Sequence, residues 1–401
     1  MSYPLSKKLD RFSPSASVSA KARVAELEAA GKKILDFCVG EPDFVTPLLV
    51  TDAAAQAARD GQTRYTATTG TPQLKAAIQR KFKADNGLDY STAEVLVGSG
   101  AKQIIYTAFT CSIDDGDEVI IPAPYWVSYP DIVKLNGGVP VIIQCPDSQG
   151  FKLTAAQLEA AITPRTKWLV LNSPNNPSGA IYNESEMAAL VEVLLRHPHV
   201  WLMTDEIYEH FNYSRVALPA PCVIAPQLKA RTLVINGVSK AYAMTGWRIG
   251  YAGGPAPLIK AMDKLMSQSI GGASSVSQAA AVAALDHGQA FVDEAARVFG
   301  ERRDLIIGLL NEVPGLSCKA IEGAFYAYPN CAGLIGKRTP DGKVLETDGE
   351  VRDFLLDAAN VAVLDGAAYG LSPYLRLSFA TSSEIITEGC RRMREACQSL
   401  S

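Results

Sequence analysis

The stretch from Val234 to Tyr251 constrains this chain more than any other. An apolar strand, Val234-Ile235-Asn236, breaks at Gly237 and delivers Lys240 between the small residues Ser239 and Ala241. A reactive side chain at the mouth of an apolar strand is the arrangement of α/β folds, whose ligand sites open where strands end. Burial disfavours the ammonium form and lowers the pKa, so a lysine placed there can condense with a carbonyl as a Schiff base. Arg248, beyond the loop-like Thr245-Gly246, supplies a permanent planar cation suited to a phosphate or carboxylate. Met in isolation, the same residues would read as an exposed lysine and a surface arginine.

Other strand ends repeat the pattern. A strand over 94–97 runs into Gly98-Ser99-Gly100-Ala101-Lys102-Gln103, which opens a helix through 109. Backbone N–H groups at a helix start, approached through small residues, form an anion site that needs no side-chain charge. The run is not a dinucleotide fingerprint, because Gln103 takes the third glycine position, and not a Walker loop, because Lys102 lacks the following Ser or Thr. A strand over 117–122 leads to Trp126, a flat side chain that either stacks on an aromatic ligand or belongs to the core. The strand over 167–171 leads to the loop 172–179, where Pro174 and Pro177 stiffen the backbone around Asn176. The strand over 200–204 ends in Asp205, with Tyr208 beyond it. A carboxylate at the end of an apolar strand is costly unless a cation meets it, although a helix N-cap accounts for the aspartate equally well.

Two further places are of the same kind. Gly40-Glu41-Pro42 is a tight turn in which the glycine lets the backbone approach a ligand closely. Arg376 lies inside the apolar strand 374–379 and invites either a bound carboxylate or a structural salt bridge. Periodicity and capping signals predict helices over 18–30, 48–60, 72–86, 154–162, 184–195 and 255–268, an alanine-rich helix after the small-residue loop 269–278, and a long helix over 289–310. Strands are expected over 34–37 and 248–252. The resulting expectation is an α/β fold with a mostly parallel central sheet: a flexible arm over 1–14, a large domain over 45–286, and a smaller α+β domain assembled from 15–44 and 287–401.

Composition narrows the function. A net charge of -4 over 401 residues leaves no basic footprint for nucleic acid, so the expected partner is a small molecule. The eight cysteines show neither CxxC spacing nor Cys/His clustering, which argues against a metal site and a disulfide framework and points to reduced thiols in the cytoplasm. No apolar run marks a secretory signal, and none approaches the roughly 18 residues of a membrane span.

The run from Asn236 to Tyr251 resembles the cofactor-lysine segment of fold-type I, pyridoxal-phosphate-dependent aminotransferases of class I, and is similar to the version in the bacterial Ib subgroup of aspartate aminotransferases. Five further motifs between Gly40 and Arg376 match in order and cover most of the chain. The resemblance implies a seven-stranded-type sheet, pyridoxal 5'-phosphate as cofactor, and ping-pong transamination between an amino acid and a 2-oxo acid, aspartate and 2-oxoglutarate first. Lys240 would be covalent anchor and proton shuttle, Asp205 the partner of the pyridinium nitrogen, and Tyr208 and Asn176 donors to the phenolic oxygen. Trp126 would lie against the ring. Gly100, Ala101, Lys102, Ser239 and Arg248 would hold the phosphate. Arg376, Asn176 and the Gly40 backbone would meet the substrate carboxylate, and Lys102 the distal one unless it is simply a solvated helix residue. Tyr65 would cross a homodimer interface to the neighbouring phosphate, and the loop 269–278 would line the partner's pocket.

Two positions depart from the family pattern. Gly237 replaces the first serine of Ser-x-Ser-Lys, removing one hydroxyl from the phosphate cup. Tyr129 stands where dimeric animal-type enzymes carry a histidine behind the ring-nitrogen aspartate. Alternatives on the same fold are an Ib enzyme for prephenate, aromatic or other amino acids, and a lyase acting at the β-carbon. A transcription regulator would need a DNA-binding module ahead of Gly40, for which the chain has neither length nor basic charge.

Overall fold

The computed structural model describes residues 5–401, with backbone only at 16 and 17; residues 1–4 of the expected arm lie outside the described residues. Seven strands form the central sheet: β1 (Val95–Gly98), β2 (Glu118–Ala123), β3 (Val139–Gln144), β4 (Thr166–Asn172), β5 (Trp201–Asp205), β6 (Thr232–Gly237) and β7 (Gly250–Gly253). Their order is β1-β7-β6-β5-β4-β2-β3. All neighbours run parallel except β7, which is antiparallel to both β1 and β6.

The period-2 geometry of a strand sends alternate side chains to opposite faces. Val95, Val97, Leu169, Leu171, Leu202 and Val234 enter one core. Leu96, Trp168, Val170, Met203, Leu233 and Ile235 enter another on the opposite face. A parallel sheet covered on both sides has no polar face, which is why these strands read as unbroken apolar runs.

The helices form where capping chemistry predicts. In Pro72–Asn86 the Thr71 hydroxyl accepts from the Leu74 N–H, Pro72 occupies the first turn, and Gly87 ends the helix at φ 66°. Ala101–Ser112 runs three residues past its expected end at 109. Among the elements that the sequence did not mark are the helix Ser128–Leu135 and the strand β3. β3 carries Pro140 and is only half-buried, as suits an edge strand, and neither feature marks a strand in the sequence. The expected strand over 248–252 is shortened: Arg248 sits ahead of it with φ 56°, after the turn Thr245–Trp247. In the arm, Lys7–Arg11 makes a 3-10 turn against the helix Ser128–Leu135.

A third core, that of a second body, lies beside the sheet. The helices Gln289–Asn311 and Ser383–Gln398 pack on a three-stranded antiparallel sheet of Leu364–Asp365, Leu375–Ser378 and Tyr326–Ala327. Leu35–Asp36 pairs in parallel with Val361–Ala362 and brings the Gly40 turn to the sheet's edge. Tyr208 and Phe211, from the turn after β5, pack into this third core, so the two bodies meet where β5 ends. The eight cysteines are unpaired thiols. No helix among the described residues is long and apolar enough to cross a membrane.

Candidate active site

The carboxyl ends of the central strands and the start of the Ala101–Ser112 helix converge on a cavity of about 320 Å3. Eleven of the thirteen residues singled out in the sequence line it: Gly40, Ala101, Lys102, Trp126, Asn176 and Asp205 on one part, and Tyr208, Ser239, Lys240, Arg248 and Arg376 on the other. Gly100 lies immediately behind Ala101 as the helix N-cap, with no side-chain cap over the first N–H groups. Tyr65 does not line the cavity and is fully exposed on this chain.

Lys240 donates from Nζ to the Gly40 carbonyl at 2.7 Å, joining the turn from the second body to the lysine of the first. Burial draws its pKa down to about 8; Glu41 opposes that shift, the Arg376 and Arg248 charges reinforce it, and Asp205 opposes it more weakly. A free base is therefore accessible near neutral pH, which an ordinary lysine does not offer.

Asp205 is the last residue of β5 and is only 5% exposed. The Tyr129 hydroxyl donates to its Oδ2 at 2.6 Å, and the Ile207 N–H to Oδ1 at 3.3 Å. Burial raises the carboxyl pKa, against the Tyr129 and Ile207 hydrogen bonds and the charge of Lys240. Tyr129 thus fills, with a phenol, the place behind the aspartate that a histidine occupies in the animal-type pattern. Asn172 secures the same strand end: its Nδ2 donates to the Asp205 carbonyl at 2.8 Å, and its Oδ1 accepts from the Asn176 N–H at 2.8 Å.

On the side of the second body, the Tyr208 and Tyr326 hydroxyls are 2.8 Å apart. Arg376 is 3% exposed, donates to the Cys38 carbonyl, and lies over the Tyr326 ring at 4.6 Å from its centroid. Its Nε has no hydrogen-bond partner, and no carboxylate pairs with it among the described residues. Tyr326 and Asn172 line the cavity without a role assigned from the sequence, and Tyr129 was marked there only as a departure from the family pattern. Tyr326 ends the run Gly323-Ala324-Phe325-Tyr326, an aromatic pair after a glycine with no further sequence signal.

The remaining end of the cavity is built for an anion. Gly100 has φ 90°, a conformation that favours glycine, and a Cβ added there would lie 2.5 Å from Arg248 Nη2. Arg248 Nη1 is held by the Thr245 carbonyl at 2.9 Å. Lys102 Nζ sits 4.8 Å from the centre of the Trp126 ring, and partial burial, then the Arg248 charge, lowers its pKa. Gly237 pairs with Gly250 at the end of β6, and a Cβ there would come 3.0 Å from the Ile249 carbonyl oxygen, 3.1 Å from Ile207 Cδ1 and 3.2 Å from the Gly250 Cα. A serine at this place would need the two strands to give by a few tenths of an ångström, so the absent hydroxyl coincides with a close strand pairing.

A family model described as aminotransferase class I and II matches residues 32–393. The chain is 53% identical over 380 residues to an aspartate aminotransferase of Rhizobium meliloti (strain 1021), covering 95% of this chain and 93% of that one. It is 50% identical over 397 residues to an aspartate/prephenate aminotransferase of Cereibacter sphaeroides, covering 99% of each. Among solved structures, the aspartate aminotransferase of Rhizobium meliloti aligns over 100% of both chains with a TM-score of 0.97 at 51% identity. The Thermus thermophilus enzyme with maleate aligns over 98% of this chain and 100% of its own, with a TM-score of 0.92 at 37% identity.

Proposed function

The chain belongs to the class I and II aminotransferases, and on that premise we propose that it moves the amino group of aspartate to 2-oxoglutarate in two half-reactions at the cavity around Lys240. It is a pyridoxal-phosphate-dependent enzyme acting on small amino and oxo acids. The observation that carries the reading is Arg376: a buried guanidinium with, among the described residues, no partner for its Nε and no carboxylate of its own, facing the same cavity as a lysine of lowered pKa.

The residues present fit the cofactor. The Asp205 carboxyl, pushed up by burial, is stabilised as an anion by a ring-nitrogen cation. The Asn176 amide oxygen is buried without a partner, and rotation of the amide turns its NH2 toward the same ligand. The helix start at Ala101, with Ser239 and Arg248, matches a phosphate. Lys240 would bind covalently, Tyr208 and Asn176 the phenolic oxygen, and Trp126 the ring face. When bound, pyridoxal phosphate supplies an aldehyde that captures amines and a ring that accepts the electron pair left at Cα.

The protein's own part is positioning and proton movement. Arg376 orients the α-carboxylate with two parallel N–H donors. Lys240, as free base, would carry the proton between the substrate Cα and the cofactor's aldehyde carbon. Asp205 keeps the ring nitrogen charged, backed by Tyr129. Lys102, over the Trp126 ring and without an ion-pair partner among the described residues, would meet the distal carboxylate of aspartate. The division into domains over 45–286 and over 15–44 with 287–401 is supported by the separate cores of the sheet and of the second body.

The active unit in this reading is a homodimer, with Tyr65 reaching the neighbouring phosphate and the loop 269–278 lining the neighbouring pocket. What supports it is the full exposure of Tyr65 together with exposed Val45, Leu48 and Ile270, apolar surface that a second copy would cover. A cytoplasmic location is supported by the eight free thiols. Initial rates with aspartate, glutamate, prephenate and aromatic amino acids test the substrate assignment. Aspartate with 2-oxoglutarate should give the highest kcat/KM; a preference for a neutral amino acid, or release of ammonia without a second oxo acid, would overturn it.

A further inference from the structure

The turn after β5 sends its polar side chains in two directions. Asp205 and Tyr208 line the cavity. Glu206 and Glu209, their immediate neighbours in sequence, reach the opposite side and meet the last turns of the Pro72–Asn86 helix. There Glu209 accepts from Lys81, from Asn86 Nδ2 at 2.7 Å and from Asn236 Nδ2 at 2.6 Å. Asn86 Nδ2 also donates to Glu206 Oε2 at 3.1 Å, and Lys81 Nζ to Asn86 Oδ1 at 2.7 Å. The side chains of Lys81 and Glu209 are 4% and 8% exposed.

Asn236 makes this more than a buried ion pair. Its Oδ1 accepts from the Gly237 N–H at 2.7 Å while its Nδ2 donates to Glu209, so both ends of the amide are committed and its orientation is set. It sits on β6, the strand that delivers Lys240. One carboxylate therefore bridges the turn carrying Asp205 and Tyr208 and the strand leading to the lysine.

We propose that Glu209 is a positioning residue for transamination, registering Asp205 and Tyr208 against Lys240, with Lys81 and Asn86 holding its carboxylate from the helix side. The inference rests on the function proposed above. Ion pairs this deeply buried are a poor source of stability, because desolvating two charges offsets most of their attraction, and apolar residues of the same volume often do as well. What the pair supplies that apolar packing cannot is directional bonding to two elements at once. The local charge balance agrees. Burial and then the Glu209 charge raise the Glu206 pKa, whereas burial of Glu209 is outweighed by Lys81, then by His210, and its pKa lies below the usual range.

The test compares wild type with Glu209→Gln, the double variant Lys81→Met/Glu209→Gln, which leaves no unpaired buried charge, and Asn86→Ala, a truncation at the end of a helix. Four quantities are read: the Tm of cofactor-free protein, the dissociation constant of pyridoxal phosphate, the pH midpoint of the bound cofactor's visible absorbance, and kcat and KM for aspartate. Groups that orient the residues holding a cofactor typically alter affinity or rate by about 10-fold to 100-fold. The first two variants should thus lower kcat about tenfold, with KM within about twofold, weaken cofactor binding, and displace the pH midpoint; Asn86→Ala should move the same quantities the same way by about threefold. Should Glu209→Gln or the double variant not fold, Asn86→Ala decides. Wild-type midpoint and kcat in every variant that folds, whether or not Tm falls, overturn the proposal. If wild type itself fails to transaminate, the function reading fails and the cofactor midpoint and dissociation constant still judge the positioning role.

Discussion

The Tyr129 hydroxyl donates to Asp205 Oδ2 at 2.6 Å, although the two residues lie 76 positions apart in the chain. The phenol is fully buried, and burial followed by the neighbouring carboxylate drives its own pKa well above 10, so it remains a donor at every working pH. A permanent neutral donor holds Asp205 ionised without itself titrating, which a histidine in that place would not do near neutrality.

Tyr129→Phe should therefore let burial raise the Asp205 pKa further and weaken its hold on the ring nitrogen. Loss of such a supporting hydrogen bond predicts a fall in kcat of about 10-fold to 100-fold with little change in KM. Steady-state kinetics across pH check this; an unchanged kcat between about pH 7 and pH 9 would remove Tyr129 from the site's chemistry.

Lys240 titrates at about 8 in the folded, cofactor-free protein, against 10.5 for an ordinary lysine. Only the neutral amine attacks an aldehyde, so capture of pyridoxal phosphate should accelerate as pH rises through about 8 and then level off. The sign for stability follows from the same shift. Between about 8 and 10.5 the unfolded chain binds more protons than the folded one, so this lysine makes the cofactor-free protein more stable as pH rises across that window. Lys240→Ala should abolish pH-dependent capture and reduce turnover by about 1,000-fold or more. Stopped-flow absorbance with each protein is the measurement.

Arg376→Lys keeps a positive charge and loses the planar pair of donors, and the two residues are not interchangeable at such a site. KM for every amino acid should rise, by about 10-fold to 100-fold from the loss of a charged hydrogen bond. Lys102→Ala should behave differently, raising KM for aspartate and glutamate while leaving aromatic amino acids nearly unchanged. Equal effects of Lys102→Ala on both substrate classes would return Lys102 to the role of a solvated helix residue.

Gly100→Ala places a Cβ 2.5 Å from Arg248 Nη2 on a backbone with φ 90°. The guanidinium tip can move aside, but it then leaves the phosphate end of the cavity. Cofactor affinity should drop at least about tenfold, and the strained backbone should cost about 1–3 kcal/mol of stability. Fluorescence titration and thermal unfolding of the cofactor-free protein separate the two effects.

Residues that act from a strand end or a helix start were legible, because a local rule places them. Lys240, Asp205 and Ala101 each follow an apolar run, and the run itself says where the side chain emerges. Arg248 was found as a cation, yet its backbone was misread as strand because a positive φ in arginine has no sequence mark. The strand β3 was missed since a half-buried edge with a proline resembles a loop, and the helix Ser128–Leu135 was missed beside it.

The amino-acid order alone determined a covered, mostly parallel sheet with a lysine, an acid and an anion-binding helix start at its strand ends, since apolar periodicity and backbone geometry act over a few residues. Only the tertiary structure decided which polar groups pair across the interior: Tyr129 with Asp205, Tyr326 with Tyr208, and Lys81 with Glu209, 128 positions away. Buried polar groups must find partners wherever the packed chain brings them, and that proximity is a property of the whole fold rather than of any stretch within it.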